Sequence, residues 1–315
     1  MMTEHKAIIL SNDADAYQEI LLGEELPGLL IEICRDVDQA GPHLQDCDII
    51  FGTPELVNPL LPQVPGLKWV QSMWAGITPF LAPGMRRDYV LTGVKEVFGP
   101  MMAEYVICHM LMHERQALER FNRQLKKKWD TTPPGTLMGK CMGIMGLGSI
   151  GTAIAGAAKF FGMKTRGFSR TRTQCKGVDN CYLPKDLTAF VQGLDYLVCV
   201  LPDTADTCGL IDETLLQTLP DTAVIINIGR GNVIHEPALI CALENGGIAG
   251  AVLDVFQEEP LPPEHGFWKT PNTLITSHTA ALSFPWQIAP IFAANYRRFI
   301  HNAPLTYRIN FDHGY

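Results

Sequence analysis

The sequence predicts an α/β protein of two domains, and three observations predict it. Short apolar runs alternate with helix-length connections along most of the chain, the pattern of parallel strands covered on both faces. A length of 315 residues with 47% hydrophobic content is enough for two cores. Residues 140–172 hold a strand, a glycine-rich turn, a helix and a second strand in one βαβ unit.

In the first hundred residues, runs at 7–10, 29–34, 48–51, 67–71 and 89–92 read as strands. Ser11, Asn12 and Asp13 supply caps for a helix ending near Leu26, Pro27 and Gly28. Together they make a small α/β domain without a glycine fingerprint, of flavodoxin-like type. From Pro100, a residue suited to the first helical turn, a single linking helix is expected to run to about Leu125. Met101, Tyr105, Cys108, Met112, Gln116 and Leu118 form its expected apolar stripe, and Lys126, Lys127 and Lys128 a solvated terminus. His109 and His113 lie one turn apart, but Met110 stands where an H-E-x-x-H motif needs glutamate, so no metal is expected.

The second domain continues with strands at 141–145, 164–168, 194–200, 223–227, 248–253 and 274–276. Its helices are expected at 152–161, 184–192, 212–218 and 235–244, and 284–301 reads as a helix returning to the first domain. The predicted organisation is a substrate domain, 1–99 completed by 283–315, into which residues 100–282 are inserted, the linking helix 100–125 included.

The inserted domain contains Gly146-Leu147-Gly148-Ser149-Ile150-Gly151 directly between strand and helix. Gly146 permits the tight turn, Gly148 lets backbone approach a pyrophosphate, and Gly151 lets helix and strand pack closely. The helix start then offers free N–H groups to the anion, at Ser149 and Ile150. This is the Rossmann arrangement for a nicotinamide dinucleotide. An NAD site usually carries Asp or Glu about twenty residues beyond the glycines; here the second strand ends in Ser169-Arg170-Thr171-Arg172. Guanidinium groups of Arg170 and Arg172 suit a 2′-phosphate, so NADP(H) is expected over NAD(H).

Ligands of an open parallel sheet bind at the carboxyl ends of its strands. Four loops qualify: 201–204 with Leu201 and Pro202, 227–232 with Ile228 and Arg230, 254–260 with Asp254 and Glu259, and 277–280 with His278. Arg230, Glu259 and His278 supply a cation, an acid and an acid–base switch at successive strand ends.

Composition narrows the function classes. A net charge of −8 and a pI near 5.6 argue against nucleic acid or an anionic membrane as partner. No apolar run reaches membrane-spanning length, and residues 1–6 carry both charge signs, unlike a signal peptide. Nine cysteines, an odd number without a C-x-x-C pair, sit mostly in apolar settings and point to a reducing cytoplasm.

Leu137-x-Gly139-Lys140 before the glycines, 227–231, 253–262 and 277–280 together resemble the D-isomer-specific 2-hydroxyacid dehydrogenase family over nearly the full length. Trp74-Ala75-Gly76 and the arginines after Ser169 resemble its glyoxylate/hydroxypyruvate reductase A branch. The resemblance implies an NADPH-preferring reductase of small 2-keto acids, with His278 as proton donor, Glu259 orienting its ring, and Arg230 clamping the substrate carboxylate. It implies that Ala75 and Gly76 grip the same carboxylate through backbone N–H groups. It also gives Asp254 to the nicotinamide carboxamide and Met102 to the nicotinamide ring. Trp74 replaces a glycine common in the family, which would narrow the pocket, with Phe284 and Trp286 as a further wall. A homodimer through the cofactor domain and the long helix is implied as well. The alternatives are an NAD-dependent dehydrogenase of D-3-phosphoglycerate or D-lactate type, or a nucleotide-sensing binding protein on the same scaffold. Phosphoglycerate oxidation usually goes with an acidic residue at 169 and often an added regulatory domain, and neither is present in this sequence.

Overall fold

The computed structural model describes residues 4–311. Residues 1–3 of the charged N-terminus and 312–315 of the expected substrate domain lie outside the described residues. The chain divides into two compact units, Met1–Val97 with Ser283–Tyr315, and Phe98–Leu282.

The first unit is built on strands β1 (His5–Leu10), β2 (Leu29–Cys34), β3 (Ile49–Gly52), β4 (Trp69–Ser72) and β5 (Val90–Thr92). They pair in parallel in the order β2-β1-β3-β4-β5. Ile9, Leu10, Ile50, Phe51 and Val70 are fully buried, which is why these strands read as unbroken apolar runs. The returning helix, Pro285–Ile300, lays Phe292 against Phe51 and Trp69 in stacked geometry, with centroids 4.6 and 5.1 Å away. Its buried Asn295 donates to Gln71 at 3.1 Å and accepts from the Thr306 N–H at 2.8 Å, tying the tail to the sheet. The first helix, Ala14–Leu22, stops short of the expected 26–28, because it closes at Gly23, whose N–H donates to the Ile20 carbonyl while the Glu24 N–H donates to that of Leu21. The remaining connections hold only helical pieces of four residues, Val37–Ala40, Pro54–Val57 and Thr78–Leu81, and 3₁₀ turns.

In the second unit, β6 (Cys141–Met145), β7 (Lys164–Phe168), β8 (Asn180–Tyr182), β9 (Tyr196–Cys199), β10 (Val224–Asn227), β11 (Gly250–Leu253) and β12 (Thr273–Ile275) form one parallel sheet. The order is β12-β11-β10-β9-β6-β7-β8, so the strand order reverses between β6 and β9, the place where such sheets open a crevice. Edge strand β8 was not anticipated, since Asn180-Cys181-Tyr182 contains no apolar run. One core layer gathers Ile144, Ile154, Ala155, Ala158, Val198 and Ile226, the other Met145, Phe190, Leu197, Ile225 and Leu239.

The expected linking helix 100–125 is two helices, Gly99–Glu114 and Ala117–Leu125. Gln116 between them sits in the left-handed region, φ 53°, and breaks the helical ladder. The buried face of the first is Ala103, Val106, Ile107 and Met110, not the stripe read from sequence, of which Cys108 and Leu118 are exposed. That helix is apolar nearly all round, so periodicity could not choose the inward face. Of the nine cysteines, all free, only Cys34, Cys47 and Cys199 are buried, fewer than their sequence settings suggested.

Candidate active site

At the β6 end the glycines meet distinct demands. Gly146 has φ 104°, and a Cβ there would come within 2.8 Å of the Val200 carbonyl. A Cβ on Gly151 would stand 2.0 Å from the Gly146 oxygen, so the helix Ser149–Phe160 approaches the turn as only glycine allows. Gly148 differs: nothing lies within 4 Å of its would-be Cβ. Gly148 and Ser149 are exposed, Ile150 is half-buried, and no side chain caps this helix, which leaves its first N–H groups without a capping side chain. Open space over Gly148 and uncapped donors fit a dinucleotide pyrophosphate.

β7 ends at Phe168, and Ser169 shapes the turn after it, its Oγ accepting from the Arg172 N–H at 3.2 Å. Arg170 and Arg172 are exposed beyond this turn, and the short segment contains no carboxylate. Loop 201–204 lies against the β10 end, where a Cβ on Gly229 would meet Leu201 backbone at 2.7 Å. Leu201 and Ile228 are buried and Pro202 is exposed.

Arg230 is positioned by Asn227, which is 1% exposed. The Asn227 amide donates to the Arg230 carbonyl at 3.1 Å, and its oxygen accepts from the Gly229 N–H at 3.1 Å. Gly231 then runs so close to the β11 loop that a Cβ would overlap Phe256 backbone, which brings the Arg230 loop against the one carrying Glu259. Burial holds the Arg230 pKa below the ordinary guanidinium value, opposed by the Glu259 and Asp203 carboxylates.

Glu259 and His278 come together. His278 Nδ1 lies 2.8 Å from Glu259 Oε2, while Oε1 accepts from the Phe256 N–H at 2.9 Å. The Glu259 hydrogen bond raises the His278 pKa, more than burial lowers it; Arg230 lowers it further and Asp254 raises it. Burial works to raise Glu259, but the His278 and Phe256 bonds, with the His278 and Arg230 charges, leave it below the usual carboxylate value. With Nδ1 turned to Glu259, Nε2 is the ring nitrogen left for a reacting group.

Asp254, 1% exposed, is committed to the His278 loop. It accepts from the Thr276 hydroxyl at 2.5 Å and from the Thr279 and Ala280 N–H groups at 2.8 and 3.0 Å. These bonds give it a part in holding the loop that sequence reasoning missed. Thr276, Tyr105, Asn227 and Glu236 escaped notice too; Glu236 accepts from the Gln257 N–H at 3.0 Å and steadies the loop of Glu259. Met102 is half-buried on the helix Gly99–Glu114.

In the first unit, Trp74, Ala75 and Gly76 follow β4, where Ser72 Oγ donates to the Trp74 carbonyl at 2.9 Å. Trp74 and Ala75 are exposed. Phe284 and Trp286, at the start of the returning helix, stack with centroids 6.1 Å apart and remain exposed rather than entering the core.

Among the described residues, no helix is long and apolar enough to cross a membrane. Residues 107–280 match the D-isomer specific 2-hydroxyacid dehydrogenase family, NAD binding domain. The glyoxylate/hydroxypyruvate reductase A of Yersinia enterocolitica is 36% identical over 226 residues, 70% of this chain and 72% of the relative. A D-isomer specific 2-hydroxyacid dehydrogenase family protein from Aeromonas salmonicida aligns with a TM-score of 0.95 at 38% identity, covering 98% of this chain and 100% of that one. An NADPH-dependent glyoxylate/hydroxypyruvate reductase from Sinorhizobium meliloti, in complex with NADP and sulfate, aligns at 0.88 with 29% identity, covering 99% and 100%. Fold, fingerprint and relatives agree: the chain belongs to the D-isomer-specific 2-hydroxyacid dehydrogenase family, as an oxidoreductase of its glyoxylate/hydroxypyruvate reductase A branch that uses a nicotinamide cofactor.

Proposed function

We propose that this enzyme is an NADPH-preferring reductase of short 2-keto acids such as glyoxylate and hydroxypyruvate. The observation that carries the proposal is the His278–Glu259 pair at 2.8 Å, with Arg230 electrostatically coupled to both, on adjacent loops beside the dinucleotide fingerprint. When bound, the nicotinamide cofactor supplies the hydride that reduces the keto carbon. Arg230 binds the substrate carboxylate, and its desolvation strengthens that charge-assisted contact. His278 holds a proton on Nε2 and gives it to the keto oxygen. Glu259 fixes the imidazole orientation and keeps the ring protonated over a wider pH range. Arg170 and Arg172 receive the 2′-phosphate, as suits a cofactor that cells keep reduced. Gly146, Gly148, Ser149, Ile150 and Gly151 hold the pyrophosphate, Leu201, Pro202 and Ile228 line the cofactor's path, and Met102 backs the nicotinamide.

At the β4 end we assign Ala75 and Gly76 to carboxylate binding and Trp74, with Phe284 and Trp286, to limiting substrate size. The enzyme works as a cytoplasmic homodimer, with residues 1–97 and 283–315 as substrate domain and 98–282 as cofactor domain.

The test monitors absorbance of the reduced nicotinamide, with NADPH and NADH each offered glyoxylate, hydroxypyruvate, pyruvate and phosphohydroxypyruvate. Fastest turnover is expected for NADPH with glyoxylate or hydroxypyruvate. Equal or better rates with NADH would remove the cofactor reading. Preference for phosphohydroxypyruvate or pyruvate would replace the substrate reading, and no turnover of any pair would favour a nucleotide-sensing protein.

A further inference from the structure

The loop that carries His278 has an unusual conformation. His278 sits at φ 55°, in the left-handed region where a residue with a Cβ is disfavoured. Something must hold it there, and the structure shows what does. The His278 N–H donates to the Asp254 carbonyl at 2.8 Å, while Oδ1 of the Asp254 carboxylate accepts from the Thr276 hydroxyl and the Thr279 N–H and Oδ2 from the Ala280 N–H. The chain of bonds continues outward, because Tyr105 Oη lies 2.7 Å from Thr276 Oγ1. The single Thr276 proton is directed to Asp254 at 2.5 Å, so Tyr105 is the donor to Thr276.

Tyr105 is itself fixed. It lies in the second turn of the helix Gly99–Glu114, with the His109 ring tilted against it at 4.1 Å and His109 Nδ1 2.8 Å from the Tyr105 carbonyl. Burial, then the Asp254 and Cys108 charges, keep its phenol protonated well beyond the ordinary range, although the Thr276 bond works the other way. It is therefore a donor at any pH where the enzyme operates. Met102 lies three residues earlier on the same helix, close to the same face.

We propose that Tyr105, acting through the Thr276 hydroxyl and Asp254, is a positioning residue that sets the His278 loop from the helix on which Met102 stands. The proposal rests on the reading of His278 as proton donor. Without the Tyr105 hydroxyl, Thr276 loses its anchor, the loop relaxes from its left-handed conformation, and the His278–Glu259 bond loosens. Arg230, Glu259 and Asp254 are the charged groups acting on His278. With the Glu259 bond weakened and Arg230 still in place, the imidazole loses its proton at lower pH.

The experiment uses the full-length enzyme and the variants Tyr105→Phe, Thr276→Val, Thr276→Ser and His278→Gln. Tyr105→Phe keeps the ring against His109 and removes only the hydroxyl. Expected are a kcat about tenfold lower, KM for the keto acid changed less, and a basic limb of kcat moved about half a unit to lower pH. Thr276→Val should behave alike, Thr276→Ser should restore the wild-type profile, and Tyr105→Phe with Thr276→Val should be no worse than either alone. The His278 pKa, followed by NMR in histidine-labelled protein with His278→Gln identifying the signal, should fall in step with the kinetic limb. Cofactor binding by fluorescence verifies that the fold is intact. Unchanged pH limb and His278 pKa in Tyr105→Phe, with His278→Gln inactive, would overturn the proposal alone. Full turnover in His278→Gln would overturn the proton-donor reading beneath it.

Discussion

His278 and Glu259 shift each other in opposite directions, and the sign of the pH dependence comes from that pairing. His278 is raised by its bond to Glu259, so the protonated ring that the proposed reduction calls for persists above its ordinary range and is lost as pH climbs through the raised value. Glu259 ends below its ordinary value, so its half of the pair is lost only as pH falls through that lowered value. Both side chains are partly open to water, 53% and 35% exposed, which limits the pair to less than about 1 kcal/mol of stability. Activity should therefore report the pair far better than thermal melting does. Glu259→Gln is expected to move the basic limb of kcat to lower pH, since burial and Arg230 then act on the ring without the Glu259 charge, and to lower kcat about a hundredfold, with the melting temperature nearly unchanged. A basic limb that stays in place would show that Glu259 does not tune the ring. At the cofactor end, replacing Arg170 and Arg172 together by Ala should weaken NADPH binding about tenfold to a hundredfold and leave NADH within twofold. Equal weakening of both cofactors, read by fluorescence titration, would count against a 2′-phosphate contact. Arg230, Glu259 and His278 stood out in the sequence because strand ends are where charged groups meet a ligand. Tyr105 did not, because a helical tyrosine gains meaning only from a partner 171 residues away, and Asn227 did not, because its bonds to the Gly229 N–H and the Arg230 carbonyl depend on the turn its loop makes.

The fingerprint glycines separate folding from binding at the level of the element. Gly151 has no room for a methyl group, whose carbon would lie 2.0 Å from the Gly146 oxygen. Gly148, with φ −74° and open space around it, has room to spare. Gly151→Ala should cost about 2 kcal/mol or more of stability, seen as a lower denaturation midpoint. Gly148→Ala should fold as the wild type does and bind cofactor at least about tenfold more weakly, since the methyl occupies space a pyrophosphate needs. Wild-type cofactor affinity in Gly148→Ala would contradict the pyrophosphate placement. Strands were the most legible elements, since a strand buried on both faces writes itself as an apolar run of Val, Ile and Leu. β8 was invisible because it borders the sheet with polar and half-buried residues. The break at Gln116 was invisible because nothing marks a left-handed glutamine inside a helix-forming stretch. The inward face of the helix Gly99–Glu114 was misread because its other face is apolar too.

At the scale of the whole molecule, that second apolar face leads to the arm after it. The helix Ala117–Leu125 contains no buried residue, yet Leu118, Phe121 and Leu125 succeed each other three or four positions apart on one exposed face. Trp129 beyond it is 94% exposed. The arm is nevertheless well ordered internally. Arg123 reaches Asp130 at 2.8 Å, Arg120 donates to the Thr132 carbonyl at 2.5 Å, and Asp130 accepts from the Thr132 N–H at 3.0 Å. A braced excursion that shows large apolar side chains to water is the form of a surface completed by another chain. In the proposed homodimer a second copy of this chain would be that partner, and each large side chain it covered fully would add about 1.5–3 kcal/mol. The sequence displayed these residues, but their exposure depends on the turn at Gln116, which the pattern of the chain did not reveal. Phe121→Asp with Leu125→Asp should place four unpaired carboxylates at the proposed twofold contact and yield monomers at about 10 μM in sedimentation, where the wild type is expected to sediment as a dimer. The bracing bonds lie on other residues, so circular dichroism of the variant should match the wild type. A wild-type monomer at that concentration, or a dimer that survives both substitutions, would take the arm out of the interface.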